Sequence, residues 1–260
     1  LSYGAYGIVS FAANGDAMVD NSGSINATSS YLATAIDARG FGDATVENSG
    51  SVYANGSKYA FGVYATAGTG DVSVTNAEGG EIGFYSYGGR GWGVFAFATQ
   101  GDVDVVNDGA IAGYAYGQSA GIFGRSSQGD VNVSNSGSIE VITGGNVAVG
   151  VFARADNGTV TVDNSGDIYA TVEGVNGYIG YASCGIFARG EYVDVSTSGD
   201  ITAIGLAYAT GIVASSDSGT TVVTTGGDIN VFAQGTLVTR SFEGYYGTYY
   251  YYALVGAAIG

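Results

Sequence analysis

The feature that most constrains this chain is a short phrase that recurs along its whole length. Residues Gly129–Ile139 read GDVNVSNSGSI. Seven more copies, some of them loose, follow the same plan: Gly15–Ile25, Gly42–Val52, Gly70–Ile82, Gly101–Ile111, Gly158–Ile168, Glu191–Ile201 and Gly219–Ile229. Self-similarity at a regular period indicates a repeat architecture, in which stacked units share a core that no single unit can form alone.

A second phrase, G-[IV]-x-A, supplies one apolar anchor per repeat. The anchors are Ile8, Ile36, Val63, Val94, Ile122, Val151, Ile186 and Ile212. They are 26 to 35 residues apart, and each period holds three short runs with two-residue alternation, which is typical of strands. We therefore predict an all-β protein, a parallel β-helix (β-solenoid) with three short strands per coil and about eight to nine coils of ~28 residues.

One repeat domain is expected over residues 1–260, with regular coils over 1–237 and a Tyr-rich partial terminal coil over 238–260. Both ends of the chain lie at a similar phase of the repeat and lack a polar cap. Open sheet edges invite pairing with another chain, so we expect end-to-end stacking. The predicted end-stacking residues are Leu1, Tyr3, Tyr6, Ile8, Tyr249, Tyr251, Leu254, Val255 and Ile259.

Composition disfavours several classes of function. The 7 basic and 23 acidic residues give a formal charge of −16, whereas nucleic acids and anionic membranes require clustered Lys and Arg. No apolar run of about 18 residues exists, so no transmembrane segment is expected. Without His and with a single Cys, the chain lacks the groups of Ser-His-Asp, Cys-His and His-based metal sites. We predict that it is not an enzyme and has no cofactor.

Two further functions, catalysis and calcium binding, would depend on the carboxylates of the chain. Parallel β-helices include polysaccharide lyases and hydrolases, for which Asp102 and Asp104 with Arg125 would be the candidates here. Asp102 belongs to a column that repeats in successive copies, as a turn former does, whereas a catalytic cluster should interrupt the repeat. The stacked aspartates could also bind Ca²⁺ weakly, although the calcium-binding G-G-x-G-x-D repeat is absent.

Equivalent residues of stacked coils form columns. Inward aliphatic columns are expected at Val72, Val103, Val131, Val160 and Val193, and at Ile82, Ile111, Ile139, Ile168, Ile201 and Ile229. A corner column is expected to hydrogen-bond its stacked copies: Asn21, Asn48, Asn76, Asn107, Asn135 and Asn164, followed by Thr197 and Thr225. The column two residues before the anchors, which contains Phe61, Trp92 and Cys184, is also predicted to point inward, making Cys184 an inert buried thiol.

The residue after each anchor is predicted to point outward, and five of these eight residues are aromatic. The predicted lateral-interface residues are Tyr64, Phe95, Phe123, Phe152, Phe187, Arg125, Arg154 and Arg189. An exposed apolar stripe usually indicates a partner, although a long arm folded over the stripe would bury it instead. The variable arms after each third strand carry tyrosines whose rings could stack on sugars.

The phrases N-S-G-S-I-x-A, A-x-G-I-x-A and G-D-V-x-V-x-N resemble repeats of bacterial autotransporter passenger domains. The resemblance implies a β-helical protein that is secreted or held at the bacterial cell surface, often as an adhesin. We predict a non-enzymatic extracellular structural solenoid that assembles end to end into a homo-oligomer or filament. The alternatives are an adhesin that binds glycans or host surface proteins and, third, a polysaccharide-degrading enzyme.

Overall fold

The computed structural model describes residues 4–173 and 182–233 with their side chains, and residues 236–244, 247–255 and 257–259 as backbone strands. Within these ranges every regular element is a β-strand. The first four coils contain β1 (Gly4–Ala12), β2 (Ala17–Asn21) and β3 (Ser24–Ser29); β4 (Leu32–Gly40), β5 (Ala44–Asn48) and β6 (Ser51–Gly56); β7 (Tyr59–Ala67), β8 (Val72–Asn76) and β9 (Glu81–Ser86); β10 (Arg90–Ala98), β11 (Val103–Asn107) and β12 (Ala110–Ala115).

Coils 5 to 8 follow the same plan. They contain β13 (Gln118–Ser126), β14 (Val131–Asn135) and β15 (Ser138–Thr143); β16 (Val147–Ala155), β17 (Thr159–Asn164) and β18 (Ile168–Val172); β19 (Ala182–Gly190), β20 (Tyr192–Thr197) and β21 (Ile201–Gly205); β22 (Tyr208–Ser216), β23 (Thr221–Thr225) and β24 (Ile229–Ala233). Three further strands are β25 (Thr236–Gly244), β26 (Gly247–Val255) and β27 (Ala257–Ile259).

Equivalent strands of successive coils pair in parallel and in register. The first strands form a nine-stranded sheet that also includes β27, and the second and third strands form two eight-stranded sheets. The anchors of neighbouring coils face one another, so that Val94 pairs with Val63 on one side and with Ile122 on the other. The predicted parallel β-helix with three strands per coil is confirmed, with about eight coils of ~28 residues.

The core lies between the three sheets and consists of the predicted aliphatic columns. Five isoleucines of the predicted column in the third sheet are at most 1% exposed: Ile82, Ile111, Ile139, Ile168 and Ile201. The sixth, Ile229, is partly buried and packs against the core. The valines of the predicted column in the second sheet are at most 2% exposed: Val72, Val103, Val131, Val160 and Val193. The first sheet contributes its branched anchors, such as Val94 and Ile122, and otherwise small inward side chains, such as Ala96, while its aromatic side chains lie on the outer face.

At each anchor the in–out alternation of side chains along the first strand is interrupted, and this determines which residues lie on the outer face of the sheet. In coil 4, Val94 is buried, and a Cβ on Gly93 would lie only 2.3 Å from the Cγ2 of Ile111, so both consecutive residues face the core. The alternation therefore shifts by one position. As a result Trp92 and Phe95 share the outer face, with ring centroids 5.9 Å apart in an edge-to-face arrangement.

The prediction that the column of Phe61, Trp92 and Cys184 points inward is therefore wrong, because the shifted alternation places the column on the outer face. Phe61 and Trp92 are half-exposed, and they stack on each other outside the first sheet. Cys184 is half-buried, and burial raises the pKa of its thiol to about 12. The thiol is consequently protonated at neutral pH, as expected of an inert cysteine.

Two polar ladders join the coils. The predicted asparagine ladder is confirmed from Asn21 to Asn164: each Nδ2 donates to the Oδ1 of the next asparagine over 2.7–2.8 Å, and the last donates to Thr197 Oγ1 over 3.0 Å. In the aspartate column each Oδ1 accepts the backbone N–H of the next coil, as Asp102 does from Asp130 over 2.8 Å. The aspartates therefore have a structural role as caps for backbone donors.

The end of the chain differs from the predicted Tyr-rich partial coil at 238–260. Strands β25 and β26 form an antiparallel hairpin in which Gly244 pairs with Gly247, and only β27 joins the coil stack, where Ile259 pairs with Thr210. A glycine on either side of a two-residue connection favours a tight antiparallel turn over a coil corner. Searched over the described residues, the chain has no helix long and apolar enough to cross a membrane.

Candidate interaction face

The outer face of the first sheet brings together the aromatic residues that the sequence singled out. After each buried anchor the next side chain points outward, and from β7 to β19 these side chains are rings, which we call the aromatic ladder: Tyr64, Phe95, Phe123, Phe152 and Phe187. Successive centroids lie 5.0, 4.8, 4.8 and 4.9 Å apart, with 2–6° between the ring planes. All five side chains are half-buried.

The stacking determines what the ladder presents to a partner. Each inner ring, such as Phe123, has a neighbouring ring over both faces, so that mainly its edge meets solvent. Ring edges are apolar and weakly positive, whereas cations and sugar rings pack on ring faces. The ladder therefore suits apolar and aromatic contacts better than carbohydrate stacking. Residues 174–181, which belong to the arm before β19, lie outside the described residues.

A second column of rings lies beside the ladder and stops abruptly. Phe61 and Trp92 stack with centroids 4.7 Å apart and 9° between their planes. Each also makes an edge-to-face contact with a ladder ring, Phe61 with Tyr64 at 5.3 Å and Trp92 with Phe95 at 5.9 Å. In the next coil the register partner of Trp92 is Ala120, so the column of rings ends there.

A cavity of about 460 Å³, which we call the bay, opens where this column is interrupted. Trp92, Ala120 and Val149, from three successive coils, line it along the column, and the ladder rings around Phe123 line it on one side. Arg90 and Gln118, both exposed, lie at its rim. The sequence contained a signal for the bay, a small residue in a column of large ones, but the inward assignment of that column concealed it.

The three predicted basic residues share this face, yet each is engaged in an ion pair. Arg125 and Arg154 contact Asp156 over 2.6 and 2.7 Å, and Arg189 contacts Asp217 over 2.9 Å. Burial alone would raise the pKa of Asp156, but the two guanidinium groups outweigh it and hold that pKa below its ordinary value. Two of these contacts, from Arg125 and from Arg189, cross from one coil to the next.

Sequence reasoning missed an ion pair that ends the ladder toward coil 1. Asp37 occupies the ladder position of coil 2 and is almost fully buried. Arg39 donates to both of its carboxylate oxygens, over 2.6 and 2.7 Å. The same guanidinium lies 4.8 Å from the centroid of the Tyr64 ring, at the end of the ladder opposite Phe187. The sequence did contain a signal for this ion pair, because Asp37 and Arg39 are two residues apart and therefore lie on the same face of one strand.

The predicted tyrosine-rich arms form smaller clusters at another edge of the molecule. Tyr85 stacks on Tyr114 with centroids 5.4 Å apart, and Tyr31 meets Tyr59 edge to face at 5.9 Å. Lys58 lies over both rings of the second cluster, 5.2 Å from Tyr31 and 5.6 Å from Tyr59. These tyrosines stay candidates for a sugar-binding surface.

The predicted end-stacking residues have different positions. Tyr6 and Ile8 lie on the edge strand β1, Tyr6 exposed and Ile8 packed against the core. Leu1 and Tyr3 lie outside the described residues. The structure places Tyr249, Tyr251, Leu254 and Val255 on β26 of the hairpin and Ile259 on β27 of the first sheet. The four residues of β26 are thus not part of a parallel terminal coil.

The carboxylates proposed for catalysis have separate partners. Asp102 accepts a backbone N–H, Asp104 accepts from Asn132 Nδ2 over 2.9 Å, and Arg125 pairs with Asp156. Among the residues with described side chains, no group of three or more His, Cys, Asp or Glu is arranged to hold a metal ion.

Comparison of the chain with protein-family models, with curated proteins and with solved structures yields no match. The resemblance to autotransporter passengers therefore stays a prediction.

Proposed function

We propose that this chain is a non-enzymatic structural β-solenoid, located outside the bacterial cell or at its surface, which assembles end to end into fibres. The aromatic ladder would make lateral contacts between fibres. The observation that carries the proposal is the ladder itself: five stacked, half-buried rings present apolar edges along one face of the solenoid. Surfaces of this kind favour burial against a partner.

The polarity of the stack supports end-to-end association. Because all coils stack in parallel, the two edges of the stack differ, and one edge complements the other. Each asparagine of the ladder, for example Asn107, donates toward the next coil and accepts from the previous one. Association between two different complementary surfaces is heterologous and produces open filaments when it does not close into a ring.

Electron microscopy and sedimentation of the purified 260-residue chain test the proposal. We expect filaments whose length increases with protein concentration. The double variant Val9→Lys/Met18→Lys places charge on the exposed edge of coil 1, and filaments should be lost because charged edge strands resist pairing. The matched control Gln128→Lys/Asn146→Lys adds the same charge at exposed central positions and should still form filaments.

A ladder variant separates lateral from axial contacts. Phe123→Thr/Phe152→Thr retains residues that favour strands and removes two ring edges, so filaments should persist while their bundling is lost. Monomeric rods of the unmodified chain at all concentrations would refute self-assembly. Bundles that persist in the ladder variant would refute the lateral role of the rings.

A second candidate function, adhesion to glycans, is favoured by the exposed tyrosine clusters. Tyr85 and Tyr114 stack in pairs and retain free hydroxyl groups, and Tyr87 is more than half exposed. Aromatic faces with hydroxyl tips suit sugar rings. A glycan-array signal that disappears in Tyr85→Thr/Tyr87→Thr but not in the ladder variant would favour this function. Release of reducing ends from polysaccharides would contradict both binding proposals and point to catalysis.

A further inference from the structure

We propose that the bay is a binding site for a small molecule with one planar aromatic ring that bears a carboxylate. The ring would occupy the position that the column of Phe61 and Trp92 leaves empty above Ala120. This inference goes beyond the structural role and does not depend on it, since the bay is present in a single chain.

Along the column of Phe61 and Trp92, the bay has the height of one missing ring. One face of Trp92 is covered by Phe61 at 4.7 Å, so its other face is directed toward the next coil, where Ala120 is the register partner. One coil further, Val149 is the register partner of Ala120 and closes the column. Coils are spaced by about 4.8 Å, so Trp92 and Val149 lie roughly 10 Å apart and leave space for one ring in contact with both.

The side of the bay repeats a contact that the protein already makes twice. Phe61 meets Tyr64 edge to face at 86°, and Trp92 meets Phe95 at 81°. A ring above Ala120 would meet Phe123 in the same arrangement, because the ladder continues unchanged into coil 5. Edge-to-face pairs of this kind stabilise beyond the burial of area, which favours a flat aromatic guest over an aliphatic one.

Arg90 gives the rim of the bay a positive charge, which favours an acidic ligand. Four of the five arginines with described side chains are paired with aspartates: Arg39, Arg125, Arg154 and Arg189. Arg90 has no acidic partner among the described residues, and it lies at the bay beside the amide of Gln118. A guanidinium binds a carboxylate through two parallel hydrogen bonds, and the amide offers one more donor.

Size and polarity favour a small molecule. The volume of about 460 Å³ is typical of small-molecule sites, which combine an apolar lining with few polar groups. A saccharide would bring many hydroxyl groups to a lining that offers polar side chains mainly at the rim, and it would leave them unpaired.

Trp92, the only tryptophan of the chain, makes the test direct. Its fluorescence is followed while benzoate is added to the full-length protein. We expect a saturable change with a Kd of about 0.1–1 mM, as suits a ligand of nine heavy atoms. Benzyl alcohol, which lacks the charge, and cyclohexanecarboxylate, which lacks the planar ring, should each bind about tenfold more weakly or not at all.

Substitutions of the residues that line the bay test whether benzoate binds there. Ala120→Phe fills the missing position and should abolish binding, and the milder Ala120→Val should weaken it. Arg90→Gln should weaken benzoate binding about tenfold while leaving benzyl alcohol unaffected. Thr210→Phe is the matched control, since it adds a ring to the same column in coil 8 and should bind benzoate normally. Thermal unfolding of each variant confirms that it is folded.

Three outcomes would overturn the proposal. The first is an emission of Trp92 that does not respond to benzoate in the millimolar range. The second is equal binding of benzoate by Ala120→Val and by the unmodified protein. The third is benzoate binding that Arg90→Gln leaves as strong as in the unmodified protein, because the guanidinium would then have no part in selecting an acid.

Discussion

At the scale of single residues, the glycine before each anchor shows how closely neighbouring strands approach. A Cβ on Gly121 would come within 2.4 Å of the Cγ2 of Ile139, so no larger residue fits there without movement. Coil 2 is the one exception. It has Ala35 before its anchor, and its third strand has Val52 where the other coils have isoleucine. One position gains a methyl group and the other loses one, so the filled volume is conserved.

This pairing predicts a coupled effect on stability. Gly121→Ala should lower the free energy of unfolding by about 1–3 kcal/mol through overpacking, and Ile139→Val by about 0.5–1.5 kcal/mol. The double variant should lose at least about 0.5 kcal/mol less than the sum, because the two positions share one volume. Urea unfolding measures all three values.

A matched control lies three residues further along the same strand. Gly124 stands where coils 2 to 4 and 6 to 8 have alanine, and its nearest side-chain neighbour, Val131, would be 3.2 Å from a Cβ. Gly124→Ala should change the free energy of unfolding by no more than about 0.5 kcal/mol. Strictly additive values for Gly121→Ala and Ile139→Val would show that coil 2 is not a compensated pair.

At the scale of elements, two-residue alternation and the repeat together predicted the number of strands per coil, their parallel stacking and the buried columns. Counting through the anchor phrase failed for Trp92, because Gly93 and Val94 both face the core and shift the alternation. Side-chain contacts between coils could also not be predicted from the sequence. Arg125 and Asp156 are 31 residues apart, and only the register of β13 against β16 brings them together.

That ion pair predicts a pH dependence. The guanidinium groups of Arg125 and Arg154 hold the pKa of Asp156 below its ordinary 3.8, so the carboxylate stabilises the fold above that pH and the contribution is lost as pH falls through the lower folded pKa. Asp156→Asn should therefore cost about 0.5–1 kcal/mol at pH 7, a modest value because the arginines are partly exposed.

The difference between Asp156→Asn and the unmodified protein should shrink as the pH falls from 7 through the lowered folded pKa of Asp156. Asp194→Asn, at an exposed position, is the control and should show no such difference at either pH. Denaturant unfolding at pH 7 and pH 3 measures the effect. A difference that stayed constant between the two pH values would assign the loss to packing instead of charge.

At the scale of the whole molecule, each coil contacts only its neighbours, so a local defect should have a limited reach. Asn107→Ala removes one rung of the asparagine ladder. It removes one acceptor of the Nδ2 of Asn76, which keeps the carbonyl of Gly80, and it leaves the Oδ1 of Asn135 without its donor, at a cost of about 1–3 kcal/mol. Hydrogen exchange should increase in coils 3 to 5 and stay unchanged in coils 1 and 7.

The control for this experiment is Asn146→Ala, which alters an exposed asparagine at the start of coil 6. Its exchange pattern should match that of the unmodified protein. Exchange that increased evenly along the whole chain in Asn107→Ala would mean that the solenoid unfolds as one cooperative unit and not coil by coil.

The one-way asparagine ladder also makes the rod an electric dipole. Backbone hydrogen bonds between coils run in both directions along the axis, as those of Ala17 and Phe41 do, and largely cancel. The side-chain amides from Asn21 to Asn164 all point their NH₂ groups toward the later coils, so their dipoles add inside a poorly polarisable core. Two rods placed side by side would then be drawn into opposite orientations, whereas rods meeting at their ends would align.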